Sequence, residues 1–121
     1  MTKTVLTVDD SRTMRDMLLL ALEGAGYTVI QAVDGVDGLE TLAAKGADVV
    51  ITDINMPRMD GFGFIEGMRA NPDHRTTPVL VLTTESDAEK KQRARAAGAT
   101  GWIVKPFHPE KLAAAIRRVL H

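Results

Sequence analysis

The sequence predicts an α/β fold with one five-stranded parallel sheet and helices on both of its faces. Short β-branched apolar runs alternate five times with longer amphipathic stretches, as they do in βα units. Glycines stand where the helices would end, and charged or hydroxyl residues follow several of the apolar runs. The 121 residues show no repeat and no shift of composition, so we expect one domain over 1–121 with a single core.

The strands are predicted from five segments that are rich in valine, isoleucine and leucine. In chain order they read KTVLTV, YTVIQA, DVVITD, PVLVL and TGWIV, at residues 3–8, 27–32, 48–53, 78–82 and 100–104. We expect the strand order 2-1-3-4-5. In a doubly wound sheet of this order the first and third strands lie side by side at the switch point.

The helices are predicted between the strands, at residues 12–25, 36–45, 61–70, 87–97 and 109–120. Three glycines are placed to end helices: Gly26, Gly46 and Gly98. Ser86 and Glu89 form a capping box that would begin the fourth helix, and Pro109 suits the first turn of the fifth. The segment 71–77 is predicted as a plain surface loop, and Met14 and Met17 are predicted to pack in the core.

Composition and charge exclude several classes of protein. Fifteen Lys and Arg balance sixteen Asp and Glu, so the net charge of -1 gives no general attraction to nucleic acid or to an anionic membrane. The longest apolar run, residues 17–22, is too short to span a bilayer, and the amino terminus lacks a secretory signal. The chain has no cysteine, which excludes thiol nucleophiles and zinc-thiolate sites. We therefore expect a soluble, cytoplasmic monomer whose partners are neither nucleic acid nor membrane.

Chemically capable side chains follow four of the five predicted strands. The first strand ends in Asp9 and Asp10, the third in Asp53, the fourth in Thr83, and the fifth in Lys105. Open parallel sheets bind ligands outside the carboxyl ends of their strands, at the point where strand order reverses. The predicted order therefore brings the three carboxylates together beside the lysine and the threonine.

Such a cluster favours a divalent cation and phosphoryl chemistry. Three carboxylates and one ammonium carry a charge of about -2, and each carboxylate pair at ~5 Å repels by roughly 3 kcal/mol at an effective dielectric of 20. Hard oxygen ligands without histidine or thiol indicate Mg²⁺, which commonly pairs carboxylates with a phosphate oxygen. Asp53 is the predicted nucleophile, which would form an aspartyl phosphate, while Lys105 and Thr83 stabilise charge on the transferred group.

Four motifs resemble those of the receiver domains of bacterial response regulators. They read TVDDS, VVITDINMP, LTTE and VKPF, in this order and at fitting intervals over the whole chain. The resemblance implies the flavodoxin-like (βα)5 fold and a phosphoryl group passed to Asp53 by a sensor histidine kinase, which would be CheA-like. It implies that Mg²⁺ binds Asp10, Asp53 and the Asn55 carbonyl, with Asp9 acting through water. It also implies a cis bond before Pro106.

The same resemblance assigns switch and modulating roles. Thr83 and Lys105 match the phosphate-sensing pair, Thr84 lies next to them, and Trp102 takes the place of an aromatic residue that moves inward on phosphorylation. Two residues would modulate dephosphorylation: Asn55 and Glu85. Because a smaller residue is usual at the position of Thr84, we expect slow dephosphorylation.

The resemblance also suggests an output partner and a biological role. The fourth helix, fifth strand and fifth helix would bind an output target, with Lys90, Lys91, Trp102 and Phe107 on that surface. Because the sequence ends with the fifth helix, we expect a single-domain regulator without a DNA-binding domain. Such regulators act in chemotaxis and flagellar rotation, so a flagellar motor switch protein is the expected partner. We expect no enzyme activity beyond self-directed phosphotransfer and autodephosphorylation.

Other interpretations stay open at this stage. A phosphorelay intermediate, a phosphate sink and a receiver cut from a larger regulator would all carry the same motifs. A magnesium-dependent aspartyl-phosphate phosphatase would need a second carboxylate where Asn55 stands. A flavin carrier would want a phosphate-cradling loop in place of Asp9 and Asp10. As a separate alternative to inward movement, Trp102 is a fixed lid over an apolar patch.

Overall fold

The computed structural model describes residues 2–120 of the chain, so Met1 and His121 at the ends of the predicted domain lie outside it. The five strands are β1 (Thr4–Val8), β2 (Thr28–Ala32), β3 (Val49–Thr52), β4 (Val79–Thr83) and β5 (Gly101–Val104). The five α-helices are α1 (Arg12–Gly24), α2 (Gly35–Lys45), α3 (Gly61–Ala70), α4 (Ala88–Ala97) and α5 (Pro109–Val119). The predicted elements are confirmed, each to within one residue at either end.

All strand pairs are parallel and the order is β2-β1-β3-β4-β5, as predicted. Successive side chains of a strand point to opposite faces of the sheet, which divides the core into two clusters. One face packs against α1 and α5 through Leu18, Leu22, Leu112 and Ile116. The opposite face packs against α2, α3 and α4, and Phe64 is its largest fully buried side chain.

Most helix ends lie where the sequence predicts them. Gly26, Gly46 and Gly98 have φ values of 93°, 71° and 117°, the left-handed backbone that glycine adopts without steric cost. The predicted capping box of α4 is wrong. Asp87 is the N-cap, and its carboxylate accepts a hydrogen bond from the Glu89 N–H at 2.8 Å. Because Asp87 directly precedes the first turn, it accepts from a free N–H group of that turn, and Ser86 is not the cap.

Two further expectations are corrected. The segment 71–77 is not a plain loop, because it contains the 3-10 helix Pro72–His74, and His74 is buried with its ring Nδ1 3.0 Å from the Thr77 hydroxyl. Met17 is 46% exposed and lies on the solvent side of α1, so it does not belong to the core. Within residues 2–120, none of the helices has the length and apolar character that a bilayer crossing requires.

Candidate functional site

Three carboxylates meet at the carboxyl edge of the two central strands. Val8 of β1 is in register with Thr52 of β3, so the residues that follow them, Asp9 and Asp53, emerge side by side. Asp9, Asp10 and Asp53 each offer one oxygen atom, and these atoms all lie within 4.8 Å of one another. Asp10 is exposed, whereas the side chains of Asp9 and Asp53 are 4% and 12% exposed. The predicted convergence of the three acids is therefore present.

Lys105 bridges two of these carboxylates. Its Nζ lies 3.0 Å from Asp9 Oδ2 and 2.9 Å from Asp53 Oδ2, and its side chain is only 11% exposed. The Lys105 N–H also donates to the Thr83 carbonyl at 2.8 Å, which ties the end of β5 to β4, and the following bond to Pro106 is cis as expected. One ammonium between two acids relieves their mutual repulsion.

Burial and pairing act against each other on the protonation of this site. Desolvation by burial is the largest influence on Asp9 and raises its pKa, although the Ser11 N–H and Lys105 act in the opposite direction. Burial also tends to lower the pKa of Lys105, but its hydrogen bonds to Asp53 and Asp9 prevail and the pKa is raised. The lysine therefore stays an ammonium at neutral pH, as a partner for anionic oxygens must.

Backbone groups hold both acids in place. The Ile54 N–H donates to Asp53 Oδ1 at 2.6 Å, and the Ser11 N–H donates to Asp9 Oδ1 at 2.9 Å. The start of α3 comes so close that a Cβ atom on Gly61 would overlap the Asp53 carbonyl oxygen. In each acid one oxygen is thus bound by backbone and the other faces Lys105.

The hydroxyl and aromatic residues form a second layer on the β4–β5 side. Thr83 is fully buried, and its hydroxyl accepts a hydrogen bond from the Glu85 N–H at 3.3 Å. The Trp102 indole N–H donates to the carbonyl of the same residue, Glu85, at 3.1 Å. Trp102 is half-buried and packs against the cluster that α3 and α4 cover. Both side chains therefore bind the backbone of the same residue, Glu85, through the peptide groups on either side of it.

Asn55 and Glu85 meet across the mouth of the site. The Asn55 amide nitrogen lies 3.1 Å from Glu85 Oε1, which also pairs with Lys90 Nζ at 3.1 Å. The hydrogen bond from Asn55, followed by the contact with Lys90, lowers the pKa of Glu85. Thr84, the residue before Glu85, is exposed.

Sequence analysis missed an ion pair beside the site. Arg58 lies in the loop between β3 and α3, and its Nε and Nη2 atoms donate to the Asp34 carboxylate at 2.7 and 3.1 Å. Asp34 is also the N-cap of α2 and accepts from the Asp37 N–H at 2.8 Å. An aspartate ahead of the GVDG segment was a readable cap signal. No sequence pattern predicted that Arg58 would pair with Asp34.

The donor set suits a hard divalent cation. Mg²⁺ prefers oxygen ligands and is commonly held by one or two carboxylates together with water and phosphate oxygens. Asp9, Asp10 and Asp53 supply such oxygens in one cluster, with Lys105 already balancing part of their charge. The residues present therefore fit the ion that receiver domains generally bind.

A protein-family comparison agrees with this geometry. Residues 5–117 match the family described as response regulator receiver domain, so the chain belongs to that family. It is 40% identical over 116 residues to a "Probable chemotaxis protein CheY" of Rhizobium etli, which covers 95% of this chain and 90% of that protein. It is also similar in structure to the chemotaxis protein CheY4 of Vibrio cholerae, with a TM-score of 0.94, 46% identity, and 98% and 99% of the two chains covered.

Some relatives are longer proteins than this chain. The chain is 38% identical to "Response regulator MprA" of Mycobacterium ulcerans, and the match covers 96% of this chain but 49% of that protein. The chain thus spans nearly all of one curated relative and about half of others. One curated relative and several solved neighbours carry CheY or CheY-like names.

Proposed function

We propose that the chain is a phosphorylation-activated switch of a two-component system, with a single receiver domain over residues 1–121. A sensor histidine kinase, CheA-like, is the phosphoryl donor, and Asp53 is the acceptor. The observation that carries the proposal is the cluster of Asp9, Asp10 and Asp53 with Lys105 bridging two of its acids. The chain is a phosphoacceptor and catalyses only its own phosphotransfer and dephosphorylation.

The chemistry follows from how Asp53 is held. Its Oδ1 is bound by the Ile54 N–H, so Oδ2 beside Lys105 is the oxygen that attacks phosphorus. A P–O bond forms to Asp53 as the P–N bond of the phosphohistidine breaks, and the histidine nitrogen leaves with the electron pair. Lys105 pairs with the new phosphoryl oxygens, because its ammonium already lies at the attacking oxygen. Asp10, Asp53 and the Asn55 carbonyl would hold Mg²⁺, with Asp9 acting through water, and the ion would neutralise charge on the transferred group.

Activation then runs through the backbone of Glu85. In the present structure the Thr83 hydroxyl accepts from the Glu85 N–H and Trp102 donates to the Glu85 carbonyl. A phosphoryl group is a stronger partner for the Thr83 hydroxyl, which turns to donate to it and releases that N–H. The release shifts the segment to which Trp102 is bound, so the output surface on α4, β5 and α5 changes. Thr84 adds a phosphate contact, and Asn55 and Glu85 modulate dephosphorylation.

The proposed role is chemotaxis, in the cytoplasm, with a flagellar motor switch protein as the output partner. The Rhizobium etli and Vibrio cholerae proteins that support it carry chemotaxis names and match nearly all of this chain. A phosphorelay intermediate or a phosphate sink remains the alternative within the family. The proposal includes no partner of nucleic acid or membrane, and a monomeric state.

Phosphotransfer and partner binding test the proposal together. Incubation with a phosphorylated histidine-kinase domain and Mg²⁺ should move the label to the chain, and Asp53→Asn should stay unlabelled. The labelled form should change Trp102 fluorescence and bind a flagellar switch peptide more tightly than the unlabelled form. Rapid return of phosphate to the kinase, without peptide binding, would favour the sink. Labelling of Asp53→Asn at the wild-type rate would contradict the proposal.

A further inference from the structure

An ion pair and a backbone hydrogen bond attach the β3–α3 loop to the start of α2. The loop, residues 53–60, carries Asp53 and Asn55 at its beginning. At its far end Arg58 donates twice to the Asp34 carboxylate, and the Met59 carbonyl accepts from the Gly35 N–H at 3.1 Å. A Cβ atom on Gly35 would lie 2.7 Å from that carbonyl oxygen, so the two backbones are in direct contact.

Each partner of the ion pair carries an energetic cost in this arrangement. Arg58 has φ 65°, a left-handed backbone that is uncommon outside glycine and costs conformational energy. The Asp34 side chain is 5% exposed, and a carboxylate loses hydration when it is buried. Helix capping alone does not require this burial, because Asp60 and Asp87 cap α3 and α4 while they are exposed. Strain that persists beside a site of chemistry indicates a role there.

We propose that Arg58 and Asp34 are positioning residues, whose ion pair holds the β3–α3 loop in the conformation in which Asp53 and Asn55 bind a divalent cation. The inference rests on the proposed function and adds two residues to it. The loop is fixed at its near end by the Gly61 N–H, which donates to the Ile54 carbonyl at 2.8 Å. The ion pair fixes the far end, so the segment between them has little freedom.

If only the charge of Arg58 mattered, its removal would change Mg²⁺ affinity in the opposite direction from a loss of positioning. Removal of the Arg58 charge lowers the positive potential near the acids and should tighten the binding of a cation. Loss of positioning should weaken that binding, by about tenfold if Arg58 acts like other residues that orient metal ligands from outside their shell. The sign of the change therefore separates the two effects.

The experiment measures Mg²⁺ affinity by isothermal titration calorimetry on the whole chain. We expect Arg58→Ala to bind Mg²⁺ about tenfold more weakly. The double variant Arg58→Ala with Asp34→Asn should stay as weak, although it leaves the net charge unchanged and no unpaired carboxylate. Arg58→Lys should recover part of the affinity. Arg75→Ala removes an exposed arginine that precedes β4, at the amino ends of the strands and away from the site. This variant should bind Mg²⁺ as the wild type does.

A structural readout keeps the test independent of overall folding. Amide hydrogen exchange should speed up within residues 54–60 in Arg58→Ala and stay unchanged in the strands. If Arg58→Ala unfolds, Arg58→Lys serves in its place, because it keeps the charge and loses only the paired hydrogen bonds.

Three outcomes would overturn the inference. Equal or tighter Mg²⁺ binding by Arg58→Ala would show that the ion pair does not hold the site in its cation-binding conformation. Recovery of wild-type affinity in the double variant would show that the unpaired Asp34 caused the loss. No Mg²⁺ uptake by the unaltered chain would contradict the proposed function itself, whereas wild-type uptake with unchanged variants contradicts this inference alone.

Discussion

Thr7 offers a sharp test of the energetics of the core. It lies on β1 in the middle of the sheet, is 0% exposed, and its hydroxyl has no hydrogen-bond partner among the described residues. A buried hydroxyl without a partner has lost its hydration and gained nothing in return. Thr7→Val replaces the hydroxyl with a methyl group of nearly the same volume. We therefore expect this variant to be more stable than the wild type.

The size of the gain follows from the burial. Desolvation of one unpaired buried polar group costs about 1–3 kcal/mol, and we take ~1.5 kcal/mol for Thr7→Val. For a chain of this length the unfolding entropy near the midpoint is roughly 250 cal/mol/K, from about 2.1 cal/mol/K per residue. The melting temperature should therefore rise by about 6 °C. Calorimetry or circular dichroism during a thermal scan, with urea titration as a second method, measures the change.

Thr52 on the neighbouring strand provides the matched control. It is also 0% exposed, but its hydroxyl donates to the Asp53 carbonyl at 2.8 Å. Thr52→Val removes that hydrogen bond and should lower the free energy of unfolding by about 1 kcal/mol, or the melting temperature by ~4 °C. The same substitution should thus have opposite effects on adjacent strands. A fall in the melting temperature of Thr7→Val would refute the reasoning.

Three more outcomes are expected. Arg69 donates four hydrogen bonds to three backbone carbonyls at the other edge of the sheet, so Arg69→Met should lower the free energy of unfolding by about 3 kcal/mol in a urea titration. The hydrogen bonds from Arg58 lower the pKa of Asp34, so its ionised form stabilises the fold above its ordinary pKa of 3.8. That stability is lost as pH falls through the lowered folded-state pKa, so the stability difference between wild type and Asp34→Asn should narrow in urea titrations below about pH 3.8. Lys105→Met removes the cation between two acids and should tighten Mg²⁺ binding in calorimetry while it slows phosphorylation of Asp53.

Each of these expectations has a contrary result. An unchanged urea midpoint for Arg69→Met would mean that solvent replaces its hydrogen bonds at no cost. A stability difference that stays constant down to the lowest pH would mean that the Asp34 ion pair contributes nothing to folding. Weaker Mg²⁺ binding by Lys105→Met would mean that the lysine orders the acids rather than competes with the cation. Arg75→Ala, an exposed arginine remote from the site, serves as the control in all three experiments.

The fold was predictable because its signals are local and mutually consistent. Each strand is a short β-branched run, and the βα alternation leaves few topologies to consider. Strand order then determines which strand ends are neighbours, so the meeting of Asp9 and Asp53 followed from the expected order 2-1-3-4-5. Lys105 follows β5, two strands from β3, and its long side chain reaches both acids.

The contacts that sequence analysis missed depend on side-chain direction and on unusual backbone. Arg58 pairs with Asp34 from a left-handed backbone, a conformation that an arginine in the sequence does not predict. Arg69 looks like an ordinary basic residue at a helix end, yet it binds the Gly98 carbonyl, which is distant in sequence, as well as the Thr77 carbonyl in the segment that follows α3. Asp87 displaced Ser86 as a helix cap because both are good caps and sequence does not rank neighbours.

The most direct test of the central claim is the identity of the phosphorylated residue and its dependence on the acid cluster. The chain is incubated with a small phosphodonor and Mg²⁺, the acyl phosphate is reduced with borohydride, and the peptides are analysed by mass spectrometry. We expect homoserine at Asp53 only, in amounts that fall sharply in Asp10→Asn and when Mg²⁺ is chelated. Trapping at another residue, or equal labelling of Asp53 without Mg²⁺, would contradict the claim that these acids form a cation-dependent phosphoacceptor site.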